Sequence, residues 1–278
     1  MYNISNLFIW RVFMTKLLFY TDLHLSAKIP RHRIDDYPRT LLNKLKEIYK
    51  LAKEEEVDCV LFGGDFFHSH RIYSYEIISE AIDIISSFSN KTYAVVGQHD
   101  LIGHNQETYK SSALAFLEGR CNKYETLWEP IEIGNVNISP CHWFDDFELM
   151  LKGRLSRKKT QIMVAHQTIC KDNLPFDTFI TSKLPKNEFN LVLSGDWHGG
   201  FDPHDNKGTK YCNPASIGRH AISDSEHIPQ IALVTIDNSH KIDINLIKLD
   251  SLSAGEAFAT TFLEEIRDKA TMDTISFI

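Results

Sequence analysis

Short apolar runs alternate with amphipathic stretches along the first hundred residues. Lys16-Leu-Leu-Phe-Tyr20 is apolar apart from its first residue and stops at Thr21-Asp22, the pattern of a strand buried on both faces. Leu41, Leu45, Ile48 and Ala52 then recur at three- and four-residue spacing, which predicts an amphipathic helix over 38–56. A second strand is expected at 58–62 and a third at 92–96. Between them Ile77, Ile78, Ala81, Ile82, Ile85 and Phe88 mark a second helix. Crossovers of this kind imply parallel strands.

After an expected short helix at 111–118 the pattern becomes strand-rich. Extended pieces are expected at 131–133, 136–139, 161–165, 190–194, 210–212, 230–236 and 242–249, with helices at 145–151 and 254–269. No repeat or linker interrupts the chain. It reads as an α/β protein, a four-layer α-β-β-α sandwich of two packed mixed sheets flanked by helices. One main domain is expected over 14–250, with an N-terminal extension at 1–13 and a C-terminal helical tail at 251–278.

Composition narrows the class. The 278 residues are 43% hydrophobic and 24% charged, ordinary for a soluble globular protein. A net charge of −7 argues against coating nucleic acid by bulk electrostatics, although local basic loops and bound cations can still set the field at a site. The five cysteines are scattered, without a CxxC pair, so a reducing cytoplasm is expected. Leu7-Phe-Ile-Trp10 is cut by Arg11 and is too short to span a bilayer, so no membrane association is expected.

The candidate chemistry falls just after apolar runs. Five signatures stand there: Asp22-Leu-His24, Gly64-Asp-Phe-Phe-His68, Gly97-Gln-His-Asp100, Ala165-His166 and Gly195-Asp-Trp-His198. Ligands of open α/β sheets bind beyond the carboxyl ends of strands, so loops distant in sequence can converge there. Alone, each signature reads as a polar loop with a satisfied histidine. Five in order, each offering an Asp, His or amide donor, read instead as a site for Mn²⁺, Fe²⁺ or Zn²⁺.

This order of motifs, spanning about residues 16–220, resembles the calcineurin-like metallophosphoesterase superfamily. The pair Gly64–His68 and Gly97–Asp100 looks most like the SbcD-type nuclease subunits of double-strand-break repair complexes. Tyr211-Cys-Asn-Pro-Ala-Ser216, with Arg219 behind it, is similar to a small-residue loop of those nucleases. The resemblance implies two divalent ions, Mn²⁺ ahead of Mg²⁺, Fe²⁺ or Zn²⁺. Asp22, His24, Asp65 and His198 would hold the first, and Asp65, Gln98, His166 and Asp196 the second. A metal-activated water would attack phosphorus in line. His99 would stabilise charge or protonate the leaving oxygen, oriented by Asp100, and His68 would face the scissile phosphate. DNA is the implied substrate; an ATPase partner subunit and a homodimer are further expectations. Two departures stand out, both at the second ion: Gln98 replaces the usual Asn and Asp196 the usual His. The oxygen-richer set shifts preference towards Mn²⁺ or Mg²⁺.

Substrate clues are local. Lys28, Arg31, His32, Arg33 and Arg39 follow the first motif, interrupted by Asp35 and Asp36, and could grip phosphates or form a solvated loop with local ion pairs, while Ser216 and Arg219 belong to the small-residue loop. A second basic cluster (Lys152, Arg154, Arg157, Lys158, Lys159) reads as solubilising. Tyr73, Tyr75, His70 and His104 could stack on bases or merely pack. His142-Trp143 reads as structural, and His220 is assigned no role. Two alternatives stay open: a phosphoesterase acting on nucleotides, cyclic nucleotides or phosphoproteins, and a non-catalytic scaffold whose metal site has decayed.

Overall fold

The structure, a computed structural model, describes residues 14–259 and 261 except 73, 157 and 176. The first half runs β1 (Thr15–Tyr20), α1 (Tyr37–Glu54), β2 (Cys59–Phe62), α2 (Tyr75–Ser86), β3 (Thr92–Ala94), α3 (Ala113–Arg120) and β4 (Tyr124–Thr126). The second half runs β5 (Ile131–Ile133), β6 (Val136–Cys141), α4 (Phe147–Leu151), β7 (Thr160–His166), β8 (Ile169–Cys170), β9 (Phe179–Ile180), β10 (Leu191–Gly195), β11 (Phe201–Asn206) and β12 (Thr209–Asn213). It closes with β13 (Gln230–Ile236), β14 (Ile242–Lys248) and α5 (Ala254–Ala257).

Two six-stranded sheets form, ordered β14-β13-β1-β2-β3-β4 and β11-β12-β10-β7-β6-β5. Each has four parallel strands, β1 to β4 in one and β12, β10, β7 and β6 in the other, with antiparallel β13 and β14 along one edge of the first and antiparallel β11 and β5 at the two edges of the second. The sheets pack face to face. Leu17, Phe19 and Leu61 of one meet Ile138, Ile162, Val164, Leu191 and Leu193 of the other. Their alternates point outward yet stay covered. Leu18, Tyr20, Val60 and Phe62 lie under α1, α2 and α3, and Met163, Val192 and Tyr211 under α4 and the short β8–β9 ladder. Burial on both faces is why these strands read as unbroken apolar runs. The four-layer sandwich is the expected one, with its outer layer thin over the second sheet.

Local signals fix the helices. Asp36 caps α1 by accepting from Arg39 N, with Pro38 in the first turn, and Ser74 caps α2 through Ile77 N. The helix expected at 254–269 is different. It is interrupted after Ala257, where Phe258 turns extended, pairs with Arg33 and buries its ring completely, and Thr261 is helical again. The remainder of that helix, most of the expected tail and residues 1–13 lie outside the described residues. Four strands were not anticipated. β4, β8 and β9 are only two or three residues long, and β11, Phe201-Asp-Pro-His-Asp-Asn206, is a polar edge strand containing Pro203. Among the described residues no helix is long and apolar enough to cross a membrane.

Candidate metal centre

Loops leave the carboxyl ends of β1, β2, β3, β7 and β10, all parallel strands, and meet at one rim. The two sheets touch there. His166, the last residue of β7, donates its Nδ1–H to Gly63 O, just beyond β2, at 2.6 Å. Gly195 leaves no space between the sheets, since a methyl group there would lie 2.1 Å from Thr21 Oγ1. The first two loops are zipped together by Asp22 N to Gly64 O (3.1 Å), His24 N to Asp65 O (3.1 Å) and Leu25 N to Phe66 O (2.8 Å). Ser216 N to His198 O and Gly218 N to Asp22 O, both 3.1 Å, tie in the return from β12.

Asp22, His24, Asp65 and Asp196 all adopt positive φ, at 51°, 48°, 56° and 72°. The left-handed region costs a residue with a Cβ about 1–2 kcal/mol. Strain of that size, repeated four times at one rim, persists only where the surroundings over-determine it. The zipped loops and the packed sheets provide that framework, and the kinks bring the four side chains to one place.

Asp65 is the hub. Its Oδ2 lies 3.5 Å from His166 Nε2, 3.8 Å from His24 Nε2 and 4.0 Å from His99 Nε2. Although buried, that oxygen accepts no hydrogen bond, while Oδ1 is held by His99 N at 2.8 Å. Asp22 is divided in the same way. Its Oδ2 accepts from Thr21 Oγ1 (2.6 Å) and Asp196 N (3.1 Å). Its Oδ1 has no partner and lies 3.7 Å from His24 Nε2 and 3.6 Å from His198 Nε2. The Nε2 atoms of His24 and His198 are 2.9 Å apart.

A buried carboxylate oxygen without a partner is costly, and native folds rarely leave one. Two of them, each facing imidazole nitrogens, fit a divalent cation. Donors sharing an ion at about 2.1 Å stand roughly 3–3.5 Å apart, so the observed spacings of 3.5–3.8 Å need only a small contraction. Asp22, His24 and His198 form one such group, and Asp22, Asp65 and His166 another.

The second side is knit differently. Gln98 Nε2 donates to Asp196 Oδ1 at 2.7 Å, and Gln98 Oε1 lies 2.8 Å from His166 Nε2. Thr168 Oγ1 donates to Asp196 Oδ2. The two residues that depart from the family pattern therefore bind each other.

Protonation follows this layout. Burial alone would raise Asp22, but His198, His166 and His24 hold its carboxyl well below the usual range. Burial, helped by His198, keeps His24 neutral. Burial also works against His166, yet Asp65, Asp22 and Asp196 carry it well above its ordinary value. His198 reaches about 8 against burial, through Asp22. A protonated His166 can donate from both nitrogens, to Gly63 O and to Gln98 Oε1. Protons balance the carboxylates here, and a divalent ion competes with them.

His99 reaches the same cluster, but Asp100 does not orient it. Asp100 is fully buried and its oxygens accept from the backbone N–H groups of Asp65 (3.0 Å), Phe66 (3.1 Å) and Gly97 (2.9 Å). Burial and then the Asp65 charge raise its pKa to about 7. Asp100 is thus the clamp between the second and third loops, and the His99 ring is held by Nδ1–H to His68 O at 2.9 Å. His68 lies beside the cluster, as expected, and stacks on His220 with centroids 3.8 Å apart. Burial, then His220 and His99, lower His68 to about 4. His220 was missed because a lone histidine after Arg219 carries no motif.

The expected phosphate-gripping arginines are mostly structural. Buried Arg33 forms a fork on Asp35 at 2.8 Å, donates to Arg219 O and lies between the rings of Tyr37 and Phe258. Arg219, also buried, donates to Ser225 O and Leu252 O. Arg39 pairs with Glu80, linking α1 to α2. Buried Ser216 donates to Gly218 O at 3.0 Å. Each of the four is engaged within the chain. Arg31 and Lys28 remain exposed. The second basic cluster precedes β7, about 20 Å along that strand from His166. His142 is buried and accepts from Val96 N at 3.0 Å, a structural role as expected.

Comparison with known proteins follows the same lines. The family profile described as calcineurin-like phosphoesterase matches residues 15–200. A protein of Invertebrate iridescent virus 3 described as phosphoesterase 078R is 22% identical over 224 residues, 75% of this chain. The match spans 61% of that relative's length. A purple acid phosphatase from yellow lupin (Lupinus luteus) superposes with a TM-score of 0.54 at 15% identity, over 84% of this chain and 51% of the other. A dimetal phosphatase from Danio rerio gives 0.51 at 11%, over 85% and 99%. A Thermus thermophilus protein gives 0.51 at 12%, over 84% and 99%. Identities this low speak for the fold, and the narrower likeness to repair nucleases rests on the motifs.

Proposed function

This chain belongs to the calcineurin-like phosphoesterase family, and we propose that within it the chain is a metal-dependent phosphodiesterase acting on DNA. The observation carrying the chemistry is the partnerless, buried Oδ2 of Asp65, set between His24 on one side and His166 on the other. Asp22, His24, Asp65 and His198 would hold one ion, and Asp65, Gln98, His166 and Asp196 a second. When bound, such a pair supplies Lewis acidity to the phosphate oxygens and lowers the pKa of a water. Manganese is the ion proposed for an oxygen-rich set of this kind.

The chain's own residues account for the remaining steps. His99, held through Nδ1–H by His68 O, keeps Nε2 near Asp65, where the ring in its imidazolium form can pass the Nε2 proton to the leaving oxygen. His68 and His220 form a wall of stacked imidazoles beside it. That wall favours a diester. A monoester dianion calls for fixed guanidinium or ammonium groups, yet Arg33, Arg39 and Arg219 are engaged elsewhere and His68 is held neutral. DNA is favoured by the motif likeness and by exposed Lys28 and Arg31 beside the first loop.

The test is Mn²⁺-dependent cleavage of single- and double-stranded DNA, with bis-p-nitrophenyl phosphate in parallel. Cleavage of both classes, abolished by Asp65→Asn, is expected. Turnover of the small diester without DNA cleavage would withdraw DNA and leave a phosphoesterase of smaller substrates. Absence of metal and of all hydrolysis would point to a binding scaffold.

A further inference from the structure

Two adjoining cavities run outward from the imidazole wall. The nearer, of about 260 Å³, is lined by His68 together with Leu25, Lys28, Arg71 and Ile72. The farther, of about 320 Å³, shares Arg71 and Ile72 and ends at Tyr75 and Phe116. They form a groove whose inner end is a residue of the metal centre. Its outer end carries two large aromatic side chains in solvent, Tyr75 at 83% and Phe116 at 43% exposure. Isolated exposed aromatics are common, but two that close an apolar groove mark a binding surface.

The charge of the groove is equally specific. The chain carries −7 overall, yet none of the described residues lining either cavity is acidic. Lys28 and Arg71 stand on it, both exposed, and among the described residues no hydrogen bond or ion pair holds either cationic head. Alternating cations and aromatic faces suit an unpaired polynucleotide strand, whose phosphates need charge and whose bases offer open π-faces. A duplex keeps those faces stacked inside and cannot use them.

We propose that this groove is a subsite for single-stranded nucleic acid, receiving the nucleotides next to the scissile phosphate. Arg71 sits at the junction of the two cavities, placed for a phosphate between successive nucleotides. Tyr75 and Phe116 stack on a base at the far end. The inference builds on the phosphodiesterase reading and adds a substrate class to it: an oligonucleotide of several residues, in preference to a duplex or a mononucleotide.

The experiment compares kcat/KM of the full chain with Mn²⁺ on a short oligothymidylate and on bis-p-nitrophenyl phosphate. It adds fluorescence anisotropy of the labelled oligomer in EDTA, where no cleavage occurs. The ratio of oligomer to small-diester kcat/KM should fall about ten-fold in Tyr75→Ala/Phe116→Ala and again in Arg71→Ala, mainly through KM, with binding weakened in parallel. An unchanged ratio and unchanged anisotropy, or equal binding of single strand and duplex, overturns the subsite. A wild type that turns over neither substrate defeats the phosphodiesterase reading instead, and the anisotropy arm still decides the groove.

Discussion

The two halves of the metal centre share Asp65 but meet the problem of a buried charge differently. On the side of Asp22, His24 and His198 a carboxylate oxygen is left without any partner, facing two imidazoles 3.6–3.7 Å away. On the side of Gln98, His166 and Asp196 the oxygens are already engaged, in a chain from Thr168 through Asp196 and Gln98 to His166. An ion entering the first half relieves an unmet cost. Entry into either half breaks a hydrogen bond and displaces a proton, at His24–His198 in the first and at His166 in the second, but only the second must also open the chain through Gln98 and Asp196. Gln98 and Asp196, the two departures expected from the motif resemblance, are the middle members of this hydrogen-bonded series. Two ions are therefore expected to bind with distinct affinities, the first more tightly.

The largest effect is expected from removing what the halves share. Asp65→Asn keeps the shape and deletes the common charge. Both ions should be lost, and turnover of a small diester should drop to below about one-thousandth. Elemental analysis beside the rate measurement checks this, and a variant that keeps two ions per chain defeats Asp65 as the bridge. A sharper cut separates the halves. In Gln98→Asn the shorter amide no longer spans Asp196 and His166, so second-ion affinity should rise about ten-fold for the bonds no longer broken, with the first unchanged. A titration showing weaker second-site binding would mean that the longer amide is needed as a ligand.

A further effect is in pH. Acidic neighbours hold the proton on His166 against burial, and metal ligation must remove it from Nε2. Second-ion affinity should climb about ten-fold per pH unit above the ordinary histidine value near 6.5, levelling once the free protein loses that proton. Calorimetry in two buffers of different ionisation enthalpy reads the released proton directly. Binding without proton release contradicts a protonated His166.

Much of this centre was legible in the sequence because strand-end position is a one-dimensional signal. Asp22, Asp65, Gln98, His166 and His198 each follow an apolar run, and parallel pairing brings such ends to one rim. What was not legible depends on where a long side chain points. Arg33 and Arg219 lie close in sequence to metal motifs, but their guanidinium groups turn to Asp35, carbonyl oxygens and Phe258. Asp100 adjoins His99, yet its carboxylate turns inward to three amides. Local sequence says nothing of a partner brought near by folding, which also hid the stack of His220 on His68. Likewise β11 escaped notice because an edge strand exposed to water needs no apolar alternation.

Two ions are expected to flank the unpartnered oxygen of Asp65. Anomalous scattering from crystals grown with limiting and then excess Mn²⁺ tests it most directly. Two peaks about 3.5–4 Å apart on either side of Asp65 Oδ2 are predicted, with the peak beside Asp22, His24 and His198 filling first. A single peak at saturation, or peaks away from Asp65, would rule out a two-ion centre bridged by this carboxylate.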